Sequence, residues 1–300
     1  MPYASSNGVK LYYEESGSGK PIIFVHEFVS DLREWEQQIR WFSREYRCIA
    51  YNARGYTPSD VPSNPEQYGY KHSVDDIANF MQDLKIDKAH IVGLSMGAYA
   101  ALIFGLFYPN MAHSLVIAGV GSGAMPEHRK GFAEAANTIA DKFINKGSES
   151  VADVLGLGSS RVQLMNKNPR GWKEFVDHLK EHSAEGSALT MRQYQALRPS
   201  LFDFEEDLKK MSIPVLLVIG DEDELCLEVN LFLKRQIRTA GLWICPRTGH
   251  AINLEEPAAF NAAVQSFLSS VERGHWTQRD ACLLYTSPSP RDATLARMPS

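Results

Sequence analysis

The hydrophobic positions of this 300-residue chain change period as the chain advances. Val9, Leu11 and Tyr13 alternate with polar residues, which predicts a strand over residues 8–15, closed by the Gly17-Ser18-Gly19 turn. Residues 21–25 are a continuous apolar run, the pattern of a strand covered on both faces. Trp35, Ile39 and Phe42 then recur at helical spacing behind Asp31, a side chain suited to capping a helix. Strands over 46–51, 89–94 and 114–118 follow. Between them the pattern predicts one helix over 74–84, with Ser73 as its cap, and another that runs on from residue 94 and stops before Pro109. This order, β-β-α-β-α-β-α-β, predicts a mostly parallel sheet with helices on both faces.

Past about Gly121 the alternation stops. Three amphipathic stretches at 130–146, 172–182 and 188–197 predict helices, and no strong strand pattern appears before about Met211. A strand over 213–219, a helix over 227–238, a strand over 242–245 and a helix over 256–271 then resume it. The expected fold class is therefore α/β. Residues 1–120 and 212–280 form its core, and residues 121–211 form a helical lid inserted between two strands of one sheet. Residues 281–300 fit neither period. The stretch from Cys282 to Asp292 back-translates as a common sequencing-library adapter, so this tail is read as non-native read-through and set aside.

Composition narrows the function classes. With 44% hydrophobic residues the chain can bury a large core. A net charge of −5 and no basic tract give no reason to expect nucleic acid or an anionic membrane as partner. The four cysteines form no C-x-x-C pair, which argues for a reducing compartment and against a structural zinc site. No apolar run approaches the roughly 20 residues that span a bilayer, and the N-terminus has no secretory pattern. The expectation is a soluble cytoplasmic protein, and no feature sets its oligomeric state.

The candidate chemistry lies where the strand at 89–94 meets a helical run, at Gly93-Leu94-Ser95-Met96-Gly97. This is G-x-S-x-G in strand–turn–helix context, a nucleophile elbow that lifts the Ser95 hydroxyl clear of the sheet edge. A serine hydroxyl needs a base within hydrogen-bond reach and an acid to orient that base. Among nine histidines, His250 follows the last strand and so overlies the sheet edge that carries Ser95. The acid is expected at the end of the 213–219 strand, among Asp221, Glu222, Asp223 and Glu224. Four acids this close cannot all be buried. Asp223 is the first choice and Asp221 the second. An oxyanion hole needs two backbone N–H donors, each worth about 3–4 kcal/mol in the transition state. Met96, which follows the nucleophile, and Phe28, in the loop after the 21–25 strand, are expected to supply them. Trp172, Phe175, Met191 and Tyr194 in the insertion are candidates to line an apolar pocket.

Taken together, Val25-His26-Glu27-Phe28, the loop from Asn52 to Asp60, the Ser95 elbow, Gly220-Asp221-Glu222-Asp223, and Gly249-His250 followed by Glu255-Glu256-Pro257 resemble the α/β-hydrolase superfamily. The similarity is to its lid-bearing branch of small esterases, enol-lactonases and carbon–carbon bond hydrolases, over roughly residues 8–275. The resemblance implies Ser95 as nucleophile, Asp223 as acid and His250 as base, with no cofactor and no metal. It implies a small ester or lactone as substrate, with a β-diketone-type carbon–carbon hydrolase or a ligand-binding receptor of the same fold as alternatives. Epoxide hydrolases of this fold carry aspartate at the elbow, so Ser95 favours acyl chemistry. Two departures stand out. Asn52 replaces an aspartate in the loop of Arg54, which is expected to tie loops together. Glu27 replaces the glycine of a His-Gly pair at the oxyanion strand end. Glu27 either crowds the hole and brings a carboxylate near Ser95, or points to solvent or pairs with a cation.

Overall fold

The structure, a computed structural model, describes residues 2–280 and Leu283. The read-through reading of 281–300 therefore falls outside the described residues, apart from Leu283. Eight strands form one sheet: β1 (Tyr3–Ser6), β2 (Val9–Ser16), β3 (Lys20–Val25), β4 (Tyr46–Tyr51), β5 (Ala89–Leu94), β6 (Ala112–Ala118), β7 (Val215–Gly220) and β8 (Ala240–Cys245). Their spatial order is β1-β2-β4-β3-β5-β6-β7-β8. The β1–β2 and β2–β4 pairings are antiparallel, and the other five are parallel. This is the mostly parallel sheet flanked by helices that the alternation predicts. Strand β1, a four-residue edge element, has no clear periodic signal in the sequence.

Helices α1 (Glu36–Phe42) and α11 (Pro257–Glu272) cover one face of the sheet, while α2 (Tyr70–Asp83) and α3 (Met96–Phe107) cover the other. Strand side chains divide by parity. Ile22, Phe24, Val92, Leu94 and Val116 join the first layer, and Ile23, Val25, Ile91, Leu115 and Ile117 the second. Both faces being apolar explains why these strands read as unbroken hydrophobic runs. Two local expectations shift. Helix α2 starts at Tyr70 with Gly69 at its N-cap, so Ser73 lies inside the helix and does not cap it. Asp31 does accept a bond from the Arg33 N–H at 2.9 Å, but the first turn it caps is 3-10, over Leu32–Trp35.

Between β6 and β7 the chain is helical: α4 (Arg129–Gly156, interrupted at Gly147), α5 (Val162–Lys167), α6 (Pro169–Lys180), α7 (Ala184–Leu189) and α8 (Glu205–Lys210), with a π-helical turn at Thr190–Gln195. Ala136, Ala140 and Phe143 of α4 share a buried cluster with sheet residues. After β7 come α9 (Glu224–Gln236), strand β8 and the short α10 (Ile252–Glu255). Among the described residues, no helix is long and apolar enough to cross a membrane.

Candidate active site

Strand β5 is buried at every residue, and it hands the chain to α3 through a single strained residue. Ser95 has φ 52° and ψ −109°, a left-handed conformation that costs a non-glycine residue free energy. The turn is held from both sides. The Ser95 N–H donates to Ala118 O at 2.8 Å, and Ser95 O accepts from the Tyr99 N–H at 2.9 Å. A side chain at Gly97 would collide with the carbonyl oxygens of Val25 and His26, so α3 can approach β3 only through a glycine there.

His250 and Asp223 arrive from two other strand ends. The His250 Nδ1 lies 2.7 Å from Asp223 Oδ2, and both side chains are buried. The loop around His250 is clasped by Glu255, whose carboxylate accepts from the Gly249 N–H at 2.7 Å and the Ala251 N–H at 3.2 Å. Burial opposes a charge on the imidazole. The charge and hydrogen bond of Asp223 outweigh it and hold the His250 pKa well above 6.5. Of the four acids after β7, Asp221, Glu222 and Glu224 are exposed, and Asp221 Oδ1 accepts from the Thr248 N–H at 3.2 Å. Asp223 is the acid on the imidazole.

Ser95, His250 and Asp223 line one cavity of about 190 Å³ together with Glu27, Phe28, Arg161, Met191 and Arg198. No Ser95–His250 hydrogen bond forms among the described residues. Imidazole Nε2 instead lies 3.8 Å from Glu27 Oε2. Glu27 is 1% exposed, which overturns the solvent alternative, and its cation is Arg161 from the helical insertion. The Glu27 N–H is spent on Glu34 Oε1 at 3.0 Å, so it is not available as an oxyanion donor. Burial, and then the charge of Glu27, push the Glu34 carboxyl well above its usual range. Met96 opens α3, so its N–H has no helical carbonyl behind it.

The structure redistributes the proposed pocket residues. Met191 lines the cavity, and Trp172, Phe175 and Tyr194 do not. The Trp172 indole turns back to donate to Gly156 O at 2.7 Å. Phe175 packs in a separate buried cluster with the Arg161 guanidinium 5.1 Å from its ring centre. The Tyr194 hydroxyl donates to Met96 O at 2.9 Å. Aromatic residues at helical spacing are core residues of the insertion here, because burying them against neighbouring helices releases more water than lining a small cavity does. Arg161, Arg198 and Cys226 escaped the sequence reading, since an isolated arginine or cysteine carries no periodic signal. Asp223, Cys226 and His250 are the one set of ligand-type side chains close enough to hold a metal among the described residues, within 4.8 Å of one another. Asp223 and His250 already bond each other directly, so a cation would have to part them.

Away from the cavity, Arg54 donates a buried pair of hydrogen bonds to the Asp76 carboxylate, at 2.7 and 2.6 Å, and donates to Gln67 O at 2.5 Å. It does tie loops together.

A family model described as alpha/beta hydrolase fold matches residues 20–257. The chain belongs to the alpha/beta hydrolase fold family. It is 26% identical to 3-oxoadipate enol-lactonase 2 of Acinetobacter baylyi, over 88% of this chain and 95% of that one. It is 31% identical to epoxide hydrolase 3 of Mus musculus, over 90% of this chain and 77% of that one. Among solved structures, the enol-lactonase from Burkholderia xenovorans LB400 superposes with a TM-score of 0.77 at 22% identity, covering 89% of this chain and 100% of the other. The chain is thus a hydrolase of this fold.

Proposed function

We propose that this alpha/beta hydrolase is a serine hydrolase that cleaves a small carboxylic ester or lactone through an acyl-enzyme on Ser95. The observation that carries this reading is the buried Asp223–His250 bond at 2.7 Å beside the strained Ser95 in one cavity. His250 takes the Ser95 proton as the oxygen attacks the carbonyl carbon. Asp223 holds the imidazole in the tautomer that presents Nε2 as acceptor, and stabilises the imidazolium that results. Met96 and Phe28 N–H groups hold the oxyanion. His250 then protonates the departing alcohol and activates the water that frees the enzyme.

The similarity to an enol-lactonase supports a lactone or ester. The similarity to an epoxide hydrolase does not carry that activity over, because a serine attacks acyl carbon well and opens an epoxide poorly. The helical block from α4 to α8 acts as a lid that selects what reaches Ser95. The buried, unpaired Cys48, Cys226 and Cys245 fit a reducing, cytoplasmic setting.

A fluorophosphonate probe should label the wild type on Ser95 and leave Ser95→Ala unlabelled. Absence of labelling in the folded wild type would sink the reading and point to a ligand receptor. Short p-nitrophenyl esters and lactones should turn over faster than a vinylogous diketone. The reverse order would assign carbon–carbon cleavage by the same residues.

A further inference from the structure

Arg198 is the one charged group in the cavity wall without an oppositely charged partner. Asp223 is bound to His250, and Glu27 is paired with Arg161. Arg198 is only 6% exposed, yet it makes no ion pair among the described residues. The titratable groups that face it are Tyr194, Tyr99, Arg129 and Cys226, none of them a carboxylate. Taking an unpaired guanidinium out of water costs several kcal/mol, and folding gains little from leaving it so.

The guanidinium carbon lies 4.8 Å from the Tyr99 ring centre and 5.4 Å from that of Phe132, within cation–π reach of both rings. Nη2 donates to Ser122 O at 2.7 Å. Among the described residues Nε and Nη1 make no hydrogen bond, and Nη2 has a second N–H that lies parallel to one of Nη1. A guanidinium held against two aromatic rings, with a parallel N–H pair still unspent, is suited to a planar anion bound by two N–H bonds. Because Arg198 and Ser95 line the same cavity of about 190 Å³, that anion and the reacting carbonyl belong to one small molecule.

We infer that Arg198 is the specificity residue for a free carboxylate on the substrate, so that the preferred substrate is the ester or lactone of a small acid carrying a second, ionised carboxyl group. The inference rests on reading this cavity as the substrate site, and it deepens that reading. The Glu27–Arg161 pair contributes no net charge, so the recognition falls to Arg198 alone.

The test is equilibrium binding to Ser95→Ala, which reads recognition without turnover. Monomethyl succinate, glutarate and adipate are compared by calorimetry with their dimethyl esters. At least one half-ester should bind 10-fold or more tighter than its diester. In Ser95→Ala/Arg198→Met that preference should fall to within about 2-fold. Arg198→Lys, which keeps the charge and loses the fork, should retain part of it. Melting curves identify which variants are folded, and Arg198→Lys serves if Arg198→Met is not. Equal binding of half-ester and diester, or a preference that survives Arg198→Met, would overturn the inference. Failure of the wild type to react with a fluorophosphonate would instead count against Ser95 chemistry and leave the binding preference to be read independently.

Discussion

His250 sits between two opposing effects, and the balance makes its titration a readout of Asp223. Burial alone would lower the imidazole pKa, but the Asp223 charge and hydrogen bond raise it well above 6.5. A general base must be neutral, so kcat/KM should climb with pH through a midpoint above 6.5. Asp223→Asn should move that midpoint down and reduce kcat by about 10⁴-fold, since the tautomer is no longer fixed. A pH–rate profile in which Asp223→Asn leaves the midpoint in place would show that another group titrates. Stability follows the same sign. The raised pKa in the folded state adds stability that is complete below about 6.5 and is lost as pH rises through the folded pKa. Urea unfolding across pH should show that decline in the wild type and a flatter profile in Asp223→Asn. The meeting of Ser95 and His250 in one cavity was legible from the residues around them. The choice between Asp223 and Asp221 was not, because both leave the same strand and only burial separates them.

At the scale of elements, the site depends on how closely α3 approaches β3. Gly97 lets the helix N-terminus rest on the carbonyls of Val25 and His26. Gly97→Ala should cost about 1–3 kcal/mol by denaturant unfolding, the usual range for overpacking a filled interior. It should also lower turnover, because Met96 and Phe28 come from the two elements being forced apart. Unchanged stability would mean the elbow can relax without cost. Glu255 works similarly on the other side, holding the backbone on both sides of His250. Glycines at a strand–helix junction are readable in sequence as the absence of side chains. The clasp by Glu255 is not, because a glutamate in a loop looks the same whether it faces water or two buried N–H groups.

For the whole molecule, the decisive contact is the ion pair between Glu27, after β3, and Arg161, in the insertion. Residues 134 positions apart are tied together in the wall of one cavity. Removing one member strands the other as a buried charge. Arg161→Met should therefore destabilise the protein by about 3–5 kcal/mol. Glu27→Gln/Arg161→Met should recover much of that loss, since the pair's desolvation cost is then gone. A double variant no more stable than Arg161→Met would show that the guanidinium contributes through its packing on Phe175 instead.

The sequence by itself determined the alternation of strands and helices from β2 onward, the elbow at Ser95, the place of His250 after the last strand and the helical block between β6 and β7. These follow from local rules: the period of apolar residues, the need for glycine in a tight turn, and the placement of loops at one edge of a parallel sheet. Tertiary structure decided what depends on neighbours distant in sequence. It buried Glu27 and gave it Arg161, turned Trp172, Phe175 and Tyr194 into supports for neighbouring helices, and left Arg198 in the cavity wall without a counter-charge. Pairing and burial of a charged side chain are set by what folds against it. No periodicity encodes that.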